Sequence, residues 1–134
     1  MTNWKYKNKI IKTINDIPND KYYSVYQITF SNGDFYIGSK AVYTTRKTKL
    51  SKKKSLNLWK GIGPKPKFEY VTKDNGFFKY KSSSNIVKER LSNNEKATFV
   101  ILDFYSTKME MLLQEAYLII KYILERNNKL LNQW

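Results

Sequence analysis

The 134-residue sequence contains no histidine and no cysteine. That removes the histidine general base, the Ser-His-Asp triad, the thiol nucleophile, the disulfide framework and any Cys/His metal site. Chemistry here has to come from carboxylates, phenols, lysine, arginine, serine or a hard metal ion. Glu115 is the carboxylate whose setting most invites it. Thr107 and Glu110 form a capping box that opens a helix running to about Arg126, and Asn127-Asn128 stops it. One helix face carries Glu110, Gln114, Lys121 and Glu125, the other Met111, Leu112, Ala116, Ile119, Ile120 and Ile123. Glu115 belongs to the apolar face, because its neighbours three and four positions away are Met111, Leu112, Leu118 and Ile119. A carboxylate there loses water on folding, which is costly unless a cation, a metal or a set of donors meets it. Two plainer readings stand beside this one: a glutamate at the edge of the stripe, or one paired with a core arginine.

Tyrosines supply the second constellation. Residues 22–30 are aromatic and β-branched and read as a strand; Ser31-Asn32-Gly33-Asp34 is a turn; Phe35-Tyr36-Ile37-Gly38 is a second strand. A two-residue Asn32-Gly33 loop pairs Phe30 with Phe35 and sends Tyr26 and Tyr36 to opposite faces. A three-residue loop with Gly33 left-handed pairs Phe30 with Asp34 and brings both tyrosines to one face. Apolar matching favours the first register and shared chemistry needs the second, which is the one expected here.

These strands hold Ser24-Val25-Tyr26 and Tyr36-Ile37-Gly38. With Arg46, Glu115 and Asn132 following in order, the chain resembles the GIY-YIG nuclease family. The second triplet is literal, and the first keeps only its tyrosine. The resemblance implies an arginine on a helix after YIG, which Arg46 matches ten residues beyond Tyr36, with Lys40 as runner-up. It implies a metal-binding glutamate on a later helix, matched by Glu115, and an asparagine in a closing extended segment, matched by Asn132. Trp59 and Tyr80-Lys81-Ser82-Ser83-Ser84, with Ser82 where glycine is usual, are similar to a stretch of freestanding phage homing endonucleases. The likeness spans about residues 22–132. It implies hydrolysis of DNA phosphodiester bonds with one divalent ion, Mg²⁺ or alternatively Mn²⁺, held by Glu115, and no small-molecule cofactor. Tyr26 would be the general base, its phenol brought down from about 10 by nearby cations and the metal. Tyr36 would position the water or a phosphate oxygen, and Arg46 would stabilise the added negative charge. A phage origin implies the cytoplasm of a host cell.

Charge points to the same partner. Lysine and arginine number 25 against 11 acidic residues, a net charge of +14. Such a surface attracts polyanions, nucleic acid before an anionic membrane. Lys40, Lys52, Lys53, Lys54, Trp59, Lys60 and Asn132 are the candidate DNA contacts, the lysines for phosphates and the aromatic ring among them for stacking. Codon bias in an AT-rich genome and a solvated loop are the plainer sources of the same lysines.

The elements that must hold these groups follow. Residues 1–21 read as an N-terminal arm, and residues 22–134 as the nuclease-like domain with a basic insertion at about 47–81. Residues 41–50 read as a short helix and residues 68–71 as a minor strand. Ser84 caps a helix through Ile86, Val87 and Leu91, and residues 97–105 form a strand. The sum is a small α+β domain with a mostly antiparallel three-stranded sheet flanked by helices. No apolar run is long enough to span a bilayer, and the N-terminus lacks a signal-peptide core, so an intracellular protein is expected. Family members commonly append a DNA-binding module. Here sequence specificity is expected to be low, to come from the insertion and the N-terminal arm, or to need oligomerisation. The reading from another class is a non-catalytic basic protein that binds nucleic acid.

Overall fold

A computed structural model of the chain describes residues 3–74 and 76–132, the side chains of 44–48 and 70–74 aside. In chain order its elements are β1 (Trp4–Tyr6), β2 (Lys9–Ile11), β3 (Tyr23–Phe30), β4 (Phe35–Ala41), β5 (Tyr43–Lys49), α1 (Lys52–Leu58), β6 (Phe68–Asp74), α2 (Asn85–Ser92), β7 (Ala97–Tyr105) and α3 (Lys108–Leu124). They fall into two units: Met1–Val42 with Gly76–Trp134, and Tyr43–Asn75.

The first unit is built on a sheet of order β2-β1-β7-β3-β4. The α+β class is as expected, but the sheet has five strands and is mixed, since β1 runs parallel to β7. The two extra strands come from the stretch read as an arm. Three-residue strands carrying Lys5 and Lys9 give little periodic signal, and they form only because β7 offers a distant partner. Trp4 shows why the pairing holds. Its side chain is fully buried, edge-on against Tyr26 and Phe99 at 5.1 and 5.2 Å, with Phe77 stacked at 6.0 Å. Ring pairs in such geometries add to the burial of large apolar areas.

The β3–β4 hairpin adopts the three-residue loop. Phe30 N–H donates to the Asp34 carbonyl at 2.7 Å, Gly33 N–H donates to the Phe30 carbonyl at 2.9 Å, and Gly33 has φ 94°. A left-handed residue there costs glycine little. The resulting register pairs Tyr26 with Gly38 and Ile28 with Tyr36. On the opposite face Val25, Phe35 and Ile37 pack against Met111 and Ile119 of α3, so the sheet has apolar contacts on both sides.

The capping reading of α3 is realised: Thr107 accepts from Glu110 N–H at 3.2 Å and donates to the Glu110 carboxylate at 2.9 Å. Its apolar face is narrower than the periodicity suggested. Met111 and Ile119 are buried, whereas Leu112, Ile120 and Ile123 are exposed. A single helix on a sheet buries one stripe, not a half-cylinder. Among the described residues no helix is long and apolar enough to cross a membrane.

The second unit pairs β5 with β6 in antiparallel register, Tyr43 opposite Asp74 and Lys49 opposite Phe68. The helix expected over residues 41–50 is therefore a strand. Thr44, Thr45 and Thr48 are β-branched and favour it. The helix of this unit is α1, capped by Ser51, whose hydroxyl accepts from Lys54 N–H at 3.2 Å.

Arg90 of α2 ties the hairpin turn to the end of its own helix. It bonds Asp34 at 2.9 Å and Glu95 through two nitrogens at 2.8 and 2.9 Å, and lies 4.1 Å from the Phe30 ring centre. Hydrogen bonds from Asn32 and Arg90 hold the Asp34 carboxyl below its usual range, and Arg90 does the same for Glu95. Depressed carboxyl values contribute stability above the unfolded pKa, and that contribution is lost as pH falls through the folded one. Thermal denaturation should show Arg90→Met melting below wild type at pH 7, with the gap narrowing at pH 3. A gap unchanged with pH would contradict this linkage.

Candidate active site

The register decides which groups meet. Even-numbered residues of β3 and β4 form the hydrogen-bonded pairs, so the peptide groups of Phe35, Ile37 and Ser39 turn outward, away from β3. The closing segment takes the first two sets. Phe35 N–H donates to the Lys129 carbonyl and Leu131 N–H to the Phe35 carbonyl, each at 2.8 Å. Asn132 takes both groups of Ile37, accepting from its N–H at 2.9 Å and donating to its carbonyl at 2.7 Å. Asn132 was expected at the DNA. Its amide is instead committed to the edge of β4, in place of a further strand residue.

On the face that carries Tyr26, the side chain of Tyr36 lies with its ring centre 6.3 Å away. Tyr80, from the segment leading to α2, stands edge-on to Tyr26 at 6.0 Å. The Tyr80 carbonyl accepts from Trp4 Nε1 at 3.0 Å, which ties that segment to the core. Lys40 Nζ lies 4.6 Å from the centre of the Tyr80 ring, so the described residues bring a cation to the phenols. The Ser24 hydroxyl donates to the Lys40 carbonyl at 2.9 Å and steadies that stretch of β4. Ser24 stands where the first triplet has lost its glycine, and its hydroxyl thus supports the backbone that carries Lys40.

Burial sets the phenols' state. Tyr26 is 1% exposed, and its pKa is pushed up by desolvation first, with Tyr80 and Tyr36 adding to the rise and a hydrogen bond from Ser82 opposing it. Tyr36 is raised by desolvation and then by the charge of Glu115, against a hydrogen bond from Ser83. The sequence led to the expectation that cations and the metal lower the Tyr26 value. In the protein alone the loss of water dominates.

Glu115 reaches the same edge from the other face. It lies one turn from Met111 and one turn from Ile119 on the stripe that packs on the sheet, and is half-buried. The Ser39 hydroxyl donates to its Oε2. Among the described residues no ion pair reaches Glu115, and its Oε1 has no hydrogen-bond partner there. Tyr36 feels its charge across the edge of β4.

Arg46 does not sit on a helix. It lies on β5 in the second unit opposite Val71, and its side chain falls outside the described residues. Of the expected DNA contacts in that unit, Lys54 is ion-paired to Glu69 at 2.7 Å, and Trp59 donates to the Gly63 carbonyl at 3.0 Å with Lys65 5.3 Å from its ring centre. Lys52 and Lys53 open α1, and Lys60 follows it, exposed. Lys49, Lys52, Lys65 and Lys67 rim a groove of about 610 Å³ whose apolar lining includes Leu56 and Phe68. Sequence reasoning missed Ser39, Tyr80, Ser82 and Ser83 as parts of the site. The Tyr-x-Ser-Ser spacing was the available signal for the last three.

Gly38 carries its own requirement. A Cβ there would overlap Cζ and the phenolic oxygen of Tyr26 and stand 2.8 Å from Cε1. Tyr26 is walled in and has nowhere to go. Gly38→Ala should cost about 1–3 kcal/mol in chemical denaturation, as overpacking does, and should displace the Tyr26 phenol. An unchanged denaturation midpoint would show that the ring can move aside.

Comparison with known proteins accords with this geometry. A family model described as “Putative endonuclease segE, GIY-YIG domain” matches residues 4–133. No curated protein and no solved structure gives a significant match. The family match takes in both the tyrosine hairpin and the helix of Glu115, and the chain belongs to the GIY-YIG endonuclease family.

Proposed function

We propose that this GIY-YIG chain cleaves DNA with a divalent metal ion at the edge of β4. The observation that carries the reading is the convergence there of three phenols and Lys40 on one face with the half-buried carboxylate of Glu115, held by Ser39, on the other. Among the described residues no three acidic, histidine or cysteine side chains cluster, so a cage built wholly from protein ligands has no donor set. A lone carboxylate with an open oxygen suits Mg²⁺, which keeps waters and accepts substrate phosphate oxygens. Glu115 would hold it, and Mn²⁺ could replace it. When bound, the ion polarises the phosphate and offsets charge on the leaving oxygen.

The chain's own groups do the rest. In the fraction of molecules with Tyr26 as phenolate, water attacks phosphorus as its proton passes to the Tyr26 oxygen, the bond to the leaving oxygen breaks, and the leaving oxygen takes a proton from solvent. Tyr36 holds the water or a phosphate oxygen. Lys40 fills the cationic role that the sequence pattern gave to Arg46, with its fixed charge beside the phenols. Tyr80, half-exposed, stands edge-on beside Tyr26. The lysine-rimmed groove of the second unit supplies phosphate contacts and an apolar floor for a base. The same reading makes the protein a freestanding homing-type nuclease of a phage, at work in the host cytoplasm.

Plasmid DNA incubated with Mg²⁺ should be nicked or linearised, and chelator should stop it. Glu115→Gln should lower the rate about a hundredfold or more while DNA binding by gel shift stays within a few-fold. Retained binding with no Mg²⁺-dependent cleavage by the wild type would favour the non-catalytic reading. The pH profile gives a separate check. With the phenol pKa raised, the base form is scarce near neutrality and grows about tenfold per pH unit. The cleavage rate should therefore climb steadily between pH 7 and 9. A flat profile would remove Tyr26 as base.

A further inference from the structure

α3 packs on the sheet through Met111 and Ile119, and its opposite side faces solvent. Leu113, Tyr117, Ile120 and Leu124 stand there, flanked by Leu112 and Ile123, and all six are between 42 and 77% exposed. Single exposed apolar side chains are ordinary, but a contiguous patch above about 600 Å² is rare on a protein that stays alone. Side chains of this size leave on the order of 100 Å² each, so two such faces together reach the about 1,200 Å² at which stable interfaces begin.

The spacing of these residues selects the partner. Leu113, Tyr117, Ile120 and Leu124 follow one another at four, three and four residues, which makes a seam for a second helix. Tyr117, Ile120, Lys121 and Leu124 stand at i, i+3, i+4 and i+7, and with Glu125 they line a hollow of about 440 Å³. Four residues at those positions form the hole that receives one side chain of a facing helix. The seam also reads the same from either end. A two-fold axis level with the Leu118–Ile119 peptide sets Leu113 opposite Leu124, and Tyr117 opposite Ile120, of a second copy. A two-fold interface needs such self-complementarity. Tyr117 of each copy then enters the hole that holds Tyr117 of the other.

Charge narrows the choice further. A chain of net charge +14 repels its own copies and attracts polyanions. Along α3, however, Lys108 and Lys121 are balanced by Glu110 and Glu115. A helix that lies on an anionic membrane carries lysine and arginine beside its apolar face. Here one flank of the seam is Glu110, Gln114, Lys121 and Glu125, which suits neither a membrane nor DNA. We propose that this face joins two copies of the chain through an antiparallel pair of α3 helices. Glu115 is turned toward the sheet, away from the seam, so pairing leaves it free. Under the nuclease reading above, a two-fold pair presents its sites to strands of opposite polarity, as a duplex requires, and cuts both.

Sedimentation equilibrium of the whole chain tests the pairing without DNA. The wild type should approach twice 16.0 kDa at micromolar concentration, and the dimer should tighten as salt screens the lysines elsewhere. Leu113→Lys and Tyr117→Lys, each at an exposed position, should sediment at 16.0 kDa with an unchanged far-ultraviolet circular dichroism spectrum. The chain has no cysteine, so Gln114→Cys takes a single nitroxide label. Mixed with isotope-labelled wild type, it should broaden the amides of residues 120–124 more than those of 108–112. A wild type that stays at 16.0 kDa at every salt concentration, or binds anionic vesicles as a monomer, overturns the proposal. Broadening strongest at residues 108–112 overturns the antiparallel pairing. With Mg²⁺, the wild type should yield linear plasmid and Tyr117→Lys nicked circles; linear product from the monomeric variant overturns the shared cut. A dimeric wild type that does not cleave sinks the nuclease reading and leaves the pairing standing.

Discussion

The pairing of Tyr26 with Gly38 across two strands is the constraint on which the site depends. The phenol lies over the one residue of β4 that offers no side chain to push it away. Once that pair is set, the pleat dictates the rest. Tyr36 and Lys40 share the face of Tyr26, Ser39 turns to α3, and the peptide groups of Phe35 and Ile37 turn outward to the closing segment. A slip of one residue would reverse every one of these assignments. The loop at Ser31-Asn32-Gly33 prevents it, because Gly33 takes the left-handed conformation that a three-residue connection needs.

Burial and charge then pull the site in opposite directions. Enclosing Tyr26 between Trp4, Tyr80 and Gly38 fixes its position and keeps the phenol protonated. Ser82 opposes that rise, and Lys40 stands over the neighbouring Tyr80 ring. Glu115 is handled differently: its neighbours along α3 bury the helix against the sheet, while among the described residues Ser39 satisfies only one of its oxygens. A half-buried acid with one open oxygen is costly to hold without a cation, which is why its position carries weight. The site therefore looks rigid on the tyrosine side and under-satisfied on the carboxylate side.

Much of this was legible in the sequence where local chemistry decides. Thr107 with Glu110 marks the start of α3, Ser84 marks the start of α2, and Gly33 selects the hairpin register. Glu115 betrays itself as a charge on an apolar stripe. What could not be read depends on distant partners. β1 and β2 are too short and too lysine-rich to announce themselves, and they exist because β7 accepts a parallel neighbour. The strand at β5 was masked by helix-compatible Arg46 and Lys47 between its threonines. Asn132 resembles a ligand in sequence, yet the fold commits its amide to Ile37, and only the outward peptide groups of β4 explain why.

The central claim is that Glu115 and Ser39 mark a cation site at the edge of β4, beside the phenols. Paramagnetic broadening of backbone amides by Mn²⁺ tests it without reference to cleavage. The account predicts that trace Mn²⁺ broadens the amides of Tyr36, Ser39 and Glu115 first, and that Glu115→Gln abolishes the effect. Broadening centred elsewhere, or unchanged in that variant, would contradict it.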